Sequence, residues 1–308
     1  MAKKFKVGED NNDEISQGQL GNETTVSPIA EADIINALPQ DENNDPNAIK
    51  VTIEDEKTPI VVLFGPPSSG KTMILVRLTR YLRKIGFNVG TVPTFRSSED
   101  EYYKKICDGF NEMITNENAA ESTSAISFML LKVWKKGKPI CQILETPGEH
   151  CFNPNDKSSN MDFPRYFQSI CNNNNRKIFL IVVEPDWRDE AHRANYVQRI
   201  NQLIRRMGQR DKAIFLYNKV DKTHFIIMKG KTNTAEAKKS VSDQYKGIFE
   251  SFKNTIPIVN FFTPYNCKFV PFSTGDYNKT VNGDNVYEEG SDEYPRELWK
   301  TIMSFVRG

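Results

Sequence analysis

The stretch that decides the fold is IVVLFGPPSSGKT, at residues 60–72. Its first five residues form a short apolar run with the length and composition of a buried strand. The rest fits the pattern G-x-x-x-x-G-K-[ST], and an amphipathic helix is predicted to follow at residues 71–85. In that order, the loop's backbone N–H groups and the positive end of the helix dipole would converge on a phosphate. The predicted phosphate-binding residues are Gly65, Pro66, Pro67, Ser68, Ser69, Gly70, Lys71 and Thr72.

Two side chains of this loop have predicted roles of their own. Lys71 would place a positive charge at the β- and γ-phosphates of a nucleotide. Thr72 would offer its hydroxyl to a Mg²⁺ ion that bridges them. A surface turn rich in Gly and Ser is the alternative, and the strand and helix on either side disfavour it.

From residue 57 onward, short apolar runs alternate with longer amphipathic segments, which is typical of a parallel sheet covered by helices. Further strands are predicted at residues 140–144, 178–183, 213–217 and 269–272, and further helices at 186–207, 235–252 and 295–306. We therefore predict an α/β fold, and together with the phosphate-binding motif it resembles the three-layer P-loop NTPase fold. Its sheet would be mostly parallel with one antiparallel hairpin, and helices would cover both faces.

Charge and composition divide the chain of 308 residues into two parts. Residues 1–56 contain 13 acidic and 4 basic residues and few apolar ones, so we predict a mostly disordered leader with one possible helix at 27–38. The net charge of the whole chain is +1, which makes no electrostatic case for nucleic acid. Residues 57–308 alone carry a net charge of +10, which suits a polyanionic ligand.

Cysteine usage and hydropathy bear on the compartment. The five cysteines are odd in number and lack a C-x-x-C spacing, which favours reduced thiols and a cytoplasmic location. No apolar run approaches the roughly 18 residues that a transmembrane helix needs, so no transmembrane segment is predicted.

A second motif, Asn218-Lys219-Val220-Asp221, directly follows the predicted strand at 213–217. Together with the phosphate loop, it resembles the Ras-like (TRAFAC-class) P-loop GTPases, and this resemblance covers residues 57–308 in motif order. It implies GTP and GDP as ligands. In that family the aspartate, here Asp221, accepts hydrogen bonds from two N–H sites of guanine, whereas adenine would leave the carboxylate unmatched. Asn218 would tie the strand end to the phosphate loop, and the stem of Lys219 would cover the base.

A shorter match, Ser273-Thr274-Gly275, follows the last predicted strand. It resembles the family's small-residue motif, in which a backbone N–H meets the guanine carbonyl. This implies that Ser273 and Thr274 contact the base. An ordinary turn between a strand and a helix is the alternative.

Glu145-Thr146-Pro147-Gly148, after the predicted strand at 140–144, resembles the family's D-x-x-G element with Glu in place of Asp. The resemblance implies that Glu145 holds Mg²⁺ through water and that the N–H of Gly148 contacts the γ-phosphate. The extra methylene of glutamate changes the geometry available to the metal.

The family's Mg²⁺-binding threonine precedes an antiparallel hairpin, which is predicted here at residues 126–144. Thr123 is therefore the favoured candidate, and Thr91 and Thr94 compete with it. If Thr123 is correct, residues 87–118 form an insertion, and residues 222–267 form a second enlargement of a single GTPase domain at 57–308.

Where many relatives place a glutamine that orients water, this chain has Glu149 and His150. We predict a GTP-binding molecular switch with slow, Mg²⁺-dependent hydrolysis of GTP to GDP and phosphate, catalysed around Gly148, Glu149 and His150. A regulatory or effector protein is the expected partner. The alternatives are a GTP-binding scaffold without turnover and, less favoured, an ATPase.

Overall fold

A computed structural model describes residues 45–115, 128–152, 162–254, 265–279 and 285–307. Within these ranges the chain forms a seven-stranded sheet and two small two-stranded sheets. The strands are β1 Ile60–Phe64, β2 Asn88–Thr91, β3 Leu130–Lys135, β4 Lys138–Glu145, β5 Lys177–Val183, β6 Lys212–Tyr217, β7 Ile226–Met228, β8 Lys231–Thr232, β9 Cys267–Pro271, β10 Gly275–Lys279 and β11 Asn285–Glu289. The α-helices are α1 Lys71–Lys84, α2 Glu101–Thr115, α3 Gly148–Cys151, α4 Arg165–Asn172, α5 Glu190–Arg206, α6 Thr234–Gln244 and α7 Glu293–Val306.

The large sheet has the order β2-β3-β4-β1-β5-β6-β9. Strand β1 pairs in parallel with β4 and β5, and β5, β6 and β9 continue the parallel ladder. Every residue of β1 and β5 is buried, which requires cover on both faces of the sheet. The prediction of an α/β P-loop fold is confirmed.

The predicted antiparallel hairpin is the pair β3–β4. Its two-residue turn is Lys136-Gly137, and both residues have positive φ, at 50° and 75°. Such turns match the twist of paired strands, which explains why this short connection closes the hairpin. Of the segment predicted to begin at residue 126, the strand occupies residues from Leu130 onward, and residues 126–127 lie outside the described ranges.

Two predicted helices were too long. The helix predicted at 186–207 begins only at Glu190, because Asp186 and Arg188 have a φ of 50° and the side chain of Asp189 caps the helix. The helix predicted at 235–252 ends at Gln244, and a separate 3₁₀ turn follows the left-handed Gly247.

The two predicted enlargements contain regular structure. Residues 87–118 include β2, which extends the large sheet by pairing with β3, and helix α2. Residues 222–267 include the β7–β8 pair and α6. The β10–β11 hairpin, between β9 and α7, was not predicted.

The end of the predicted leader packs on the folded body. Ile49 is buried in the core, and the N–H of Thr52 donates to the carbonyl of Phe95 at 2.9 Å. The N–H of Arg165 donates to Oδ1 of Asn47 at 3.0 Å. The predicted helix at 27–38 lies outside the described residues, and the division of the chain at residue 56 stays a prediction.

All five cysteines are free thiols, and four of them are buried. Across the part of the chain that the structure describes, none of the helices has the length and apolarity to span a bilayer.

Candidate nucleotide-binding site

The phosphate loop connects the buried end of β1 to the first turn of α1. Ser68 and Gly70 adopt left-handed conformations, with φ of 60° and 81°, so the chain curls back before the helix begins. A Cβ on Gly70 would lie 2.7 Å from Nδ2 of Asn218, so this position requires glycine on both conformational and steric grounds. The loop therefore forms a turn at a helix N-terminus, the arrangement that binds phosphate.

Lys71 places its ammonium inside this loop. Its Nζ donates to the carbonyls of Gly65 at 3.1 Å and Pro66 at 2.9 Å. Burial lowers the pKa of Lys71, and the nearby carboxylate of Glu145 opposes that effect. A buried ammonium needs a charged or polar partner, so it strongly attracts an anion such as phosphate.

Thr72 and Glu145 meet beside the loop. The hydroxyl of Thr72 donates to Oε1 of Glu145 at 2.6 Å. The neighbouring Thr146 donates to the carbonyl of Leu63 at 2.8 Å, which holds the end of β4 against β1. Burial raises the pKa of Glu145 to about 7, although Thr72 and Lys71 act to lower it.

Three buried side-chain atoms around the loop have no hydrogen-bond partner within the described chain: Oγ of Ser69, Oε2 of Glu145 and Oδ1 of Asn218. Buried polar atoms are normally paired, so these three mark a place where a ligand would complete the contacts.

The donor set at this place fits Mg²⁺. Among the described residues, no group of three or more His, Cys, Asp or Glu side chains could hold a metal ion. A metal bound here would therefore need other ligands as well. The hydroxyl of Thr72 and the carboxylate of Glu145 are oxygen donors, which Mg²⁺ prefers when phosphate and water complete its shell.

The second motif is tied directly to the phosphate loop. Nδ2 of Asn218 donates to the carbonyl of Ser69 at 3.0 Å, and its backbone N–H donates to Val183 at 2.8 Å. Lys219 has a φ of 58°, and its ammonium forms an ion pair with the buried carboxylate of Glu184. Asp221 is partly exposed in the 3₁₀ turn that follows.

The Ser273 and Thr274 segment lies next to this motif. The N–H of Val220 donates to the carbonyl of Phe272 at 3.1 Å, and the N–H of Phe272 donates to Tyr217 at 2.7 Å. These bonds join the carboxyl ends of two neighbouring parallel strands, β6 and β9. The structure thus brings together the residues predicted to contact the base.

Gly148 packs on the phosphate loop. A Cβ at this position would lie 2.4 Å from the nitrogen of Pro67 and 2.6 Å from the carbonyl carbon of Pro66. Only a residue without a side chain allows this approach, so the segment after β4 and the phosphate loop are in backbone contact.

The two residues after Gly148 differ in environment. Glu149 is exposed, whereas Nδ1 of His150 lies 3.1 Å from the hydroxyl of Tyr166. Burial, with a smaller contribution from Arg96, lowers the pKa of His150 to about 4. The imidazole is therefore neutral at pH 7, and the side chain is partly buried against Tyr166.

Two of the three candidates for the metal-binding threonine lie within the described residues. Thr123 lies outside the described residues. Thr91 is paired with Leu131 in the β2–β3 ladder, and Thr94 is exposed in a 3₁₀ turn.

Glu184 is a further candidate site residue, which the sequence alone did not reveal. It is 5% exposed and directly follows β5, the strand that pairs with β1 in the sheet. A charged residue at the carboxyl end of a buried parallel strand is the signal that would have found it.

No family model and no curated protein matches this chain. Solved structures with a similar arrangement include a protein described as nucleolar GTP-binding protein 1 from Plasmodium falciparum, at 11% identity and a TM-score of 0.41 over 84% of this chain and 90% of that one. They also include elongation factor SelB from Methanococcus maripaludis with a GTP analogue, at 12% identity and a TM-score of 0.34 over 82% of this chain and 34% of that one. A third is GDP-bound Roco2 from Methanosarcina barkeri, at 14% identity and a TM-score of 0.31 over 84% of this chain and 51% of that one. The assignment of this chain to the P-loop NTPase fold rests on its own strand order and loop geometry.

Proposed function

We propose that this protein binds GTP and GDP with Mg²⁺ and acts as a molecular switch that hydrolyses GTP slowly. The observation that carries the proposal is the hydrogen bond from Asn218 to the carbonyl of Ser69. It joins the motif that would select the base to the loop that would hold the phosphates. One nucleotide could therefore contact both.

Base selection would come from Asp221. Its carboxylate is partly exposed at the end of the loop that Asn218 anchors, where it can accept two hydrogen bonds from guanine. The adenine of ATP lacks the two N–H groups that guanine presents, so the carboxylate would lose its hydrogen-bond donors. Leaving a charged acceptor without donors in the complex costs on the order of 1–3 kcal/mol of binding free energy.

The phosphates would bind to the N–H groups of residues 65–72 and to the ammonium of Lys71. Thr72 and Glu145 would hold Mg²⁺, which would supply positive charge to offset that of the phosphates. Oε2 of Glu145 supports this role, because it is buried and has no hydrogen-bond partner among the described residues.

The switch would be the segment that begins at Gly148. Since this glycine already touches the loop backbone at Pro66 and Pro67, a γ-phosphate in the loop would contact it directly. Binding of GTP or GDP would then favour different positions of residues 148–151.

Hydrolysis would depend on Glu149, because this carboxylate is exposed beside Gly148 and can orient water. Its negative charge also repels the γ-phosphate, which explains why we propose a slow intrinsic rate. His150 would first have to leave Tyr166, so we assign it the lesser role. A regulatory or effector protein in the cytoplasm would supply acceleration or read the switch, with the segments at 87–118 and 222–267 as its contact surfaces.

Single-turnover release of phosphate from bound GTP at millimolar Mg²⁺ tests the enzymatic part. We expect slow release by the native protein and faster release by Glu149→Gln, because glutamine can still orient water and no longer repels the γ-phosphate. For the same reason the variant should bind GTP at least as tightly as the native protein. If GTP binds and no phosphate is released, the protein is a GTP-binding scaffold. If ATP competes as well as GTP, the assignment of the base is wrong.

A further inference from the structure

Arg77 is a buried cation on α1, six residues beyond Lys71. Only 1% of its side chain is exposed. Its Nη2 donates to the carbonyl of Gly290 at 2.9 Å and to Oδ1 of Asp292 at 2.6 Å, and its Nη1 lies 2.9 Å from Oε2 of Glu289. A buried charge requires such partners, and the planar fork of arginine can reach three acceptors at once. The segment from residue 289 to residue 292 is therefore held in place by the helix of the phosphate loop.

A second arginine of the same helix supports this contact. Nη1 of Arg80 lies 3.0 Å from Oε1 of Glu289, so the two arginines bracket one carboxylate. The guanidinium of Arg80 also lies over the ring of Tyr287, 5.6 Å from its centroid. Together, Arg77 and Arg80 hold the end of β11.

The end of β11 in turn holds the segment predicted to meet the guanine carbonyl. The carbonyl of Thr274 accepts two hydrogen bonds, one from the hydroxyl of Tyr287 at 2.5 Å and one from the N–H of Gly290 at 3.1 Å. Gly275 has a φ of 129°, and a Cβ there would lie 2.1 Å from the carbonyl oxygen of Glu288. Thr274 is thus fixed to β11 through its carbonyl, which restricts the residue whose backbone is predicted to contact the base.

We propose that Arg77 is a positioning residue for base recognition: it fixes, through Gly290 and Glu289, the backbone that presents an N–H group to the 6-oxo group of guanine. This inference rests on the proposed function and adds a specificity determinant outside the four-residue motif at 218–221. One helix would then organise both ends of the nucleotide, with the phosphates at its N-terminus and the base through Arg77. Preorganised donors bind more tightly because less motion is lost on binding.

A purely structural role for Arg77 predicts something different. Loss of packing alone would weaken binding of every guanine nucleotide in proportion. A positioning role predicts that discrimination at the 6-oxo group is lost while discrimination at the 2-amino group, which Asp221 would read, is retained. Two analogues separate these readouts: 6-thio-GTP carries a weakly accepting sulfur at position 6, and ITP lacks the 2-amino group.

The experiment measures dissociation constants of GTP, 6-thio-GTP, ITP and ATP for the full chain and for Arg77→Met. We expect the native protein to prefer GTP over 6-thio-GTP at least tenfold, and Arg77→Met to reduce that preference at least fivefold with an unchanged ratio of GTP to ITP. Arg83→Met is the matched control, since Arg83 lies on the same helix but donates to Val89 at 3.0 Å, away from β11. Its ratios should equal those of the native protein.

Tyr287→Phe and Arg77→Lys serve if Arg77→Met does not fold, as judged by circular dichroism and thermal melting. Tyr287→Phe removes one of the two hydrogen-bond donors to the carbonyl of Thr274. Like Arg77→Met, it should lower the preference for GTP over 6-thio-GTP. The inference is overturned if that preference is unchanged in every folded variant, or if both ratios fall together. It is also overturned if the native protein prefers GTP over ATP but binds 6-thio-GTP equally well. No preference for GTP over ATP would instead overturn the proposed function.

Discussion

The hydroxyl of Thr72 lies 2.6 Å from Oε1 of Glu145, so the first turn of α1 and the end of β4 meet beside the phosphate loop. This contact joins two segments that are 73 residues apart in the sequence. It places an oxygen donor of each segment where Mg²⁺ and nucleotide phosphates would bind. The carboxylate of Glu145 should favour nucleotide binding when Mg²⁺ is present, because it attracts the metal. Without Mg²⁺ it should weaken nucleotide binding, because it repels the phosphates.

We predict that Glu145→Gln changes GTP affinity in opposite directions with and without Mg²⁺. With Mg²⁺, affinity should fall about tenfold, which corresponds to roughly 1.4 kcal/mol, because one charged ligand is lost. With EDTA at pH 8, above the pKa of about 7 that burial gives Glu145, affinity should rise, because a buried negative charge beside the phosphates is removed. Titration of a fluorescent GTP analogue in both buffers measures this, and an identical effect in both would contradict the assignment of Glu145 as a metal ligand.

The contact of Gly148 with the phosphate loop gives a steric prediction. In Gly148→Ala the added methyl group would lie 2.4 Å from the nitrogen of Pro67, so one of the two backbones has to move. We expect a loss of about 1–3 kcal/mol in the free energy of unfolding and weaker GTP binding.

Gly208→Ala is the control for this variant. The nearest atom to its added methyl group would be Oδ2 of Asp211 at 3.4 Å, an ordinary contact distance. Chemical denaturation and GTP titration should find this control equal to the native protein. Equal behaviour of Gly148→Ala and Gly208→Ala would show that the segment after β4 does not lie on the loop.

Two titratable groups with shifted pKa values, the buried Glu145 and the partly buried His150, give the free energy of unfolding a composite pH dependence. Burial raises the pKa of Glu145 from 4.5 to about 7, so the stability it contributes is present below pH 4.5 and is lost as the pH rises through 7. Burial lowers the pKa of His150 from 6.5 to about 4, so its contribution is present above pH 6.5 and is lost as the pH falls toward 4. Each effect amounts to roughly 3 kcal/mol at most.

We therefore predict that the two groups offset each other between pH 5 and 7 in protein free of nucleotide and metal. Glu145→Gln should lose stability on acidification from pH 7 to pH 5, because only the His150 effect remains. His150→Gln should gain stability over the same range. Denaturant titrations at three pH values measure the free energy of unfolding of each variant. If this free energy changes with pH in the same way in both variants, at least one of the two pKa shifts is wrong.

The parts of the fold that the sequence predicted well depend on local patterns. Strand β1, the phosphate loop and α1 follow one another within 25 residues, and each is specified by its own apolar spacing or glycine positions. The hairpin β3–β4 is specified by its two-residue turn at Lys136 and Gly137. Errors in helix bounds arose where left-handed residues such as Asp186 interrupt an otherwise helical pattern.

The parts that were missed depend on contacts distant in sequence. Strand β2 has four residues, including Asn88 and Gly90, and is a strand because it pairs with β3. The ion pair of Lys219 with Glu184 and the contact of His150 with Tyr166 follow from how strands and helices pack. No local pattern in a single sequence specifies such contacts.

Asp221 is the residue that we propose selects guanine, and the variant Asp221→Asn tests this role. The measurement is the dissociation constants of GTP and XTP for the native protein and the variant, at equal Mg²⁺. An asparagine can donate a hydrogen bond where xanthine carries an oxygen, so we predict at least a tenfold loss of GTP affinity, in line with about 1.5–3 kcal/mol for hydrogen bonds to a charged group, and a gain in XTP affinity. Unchanged GTP affinity in Asp221→Asn would contradict the account.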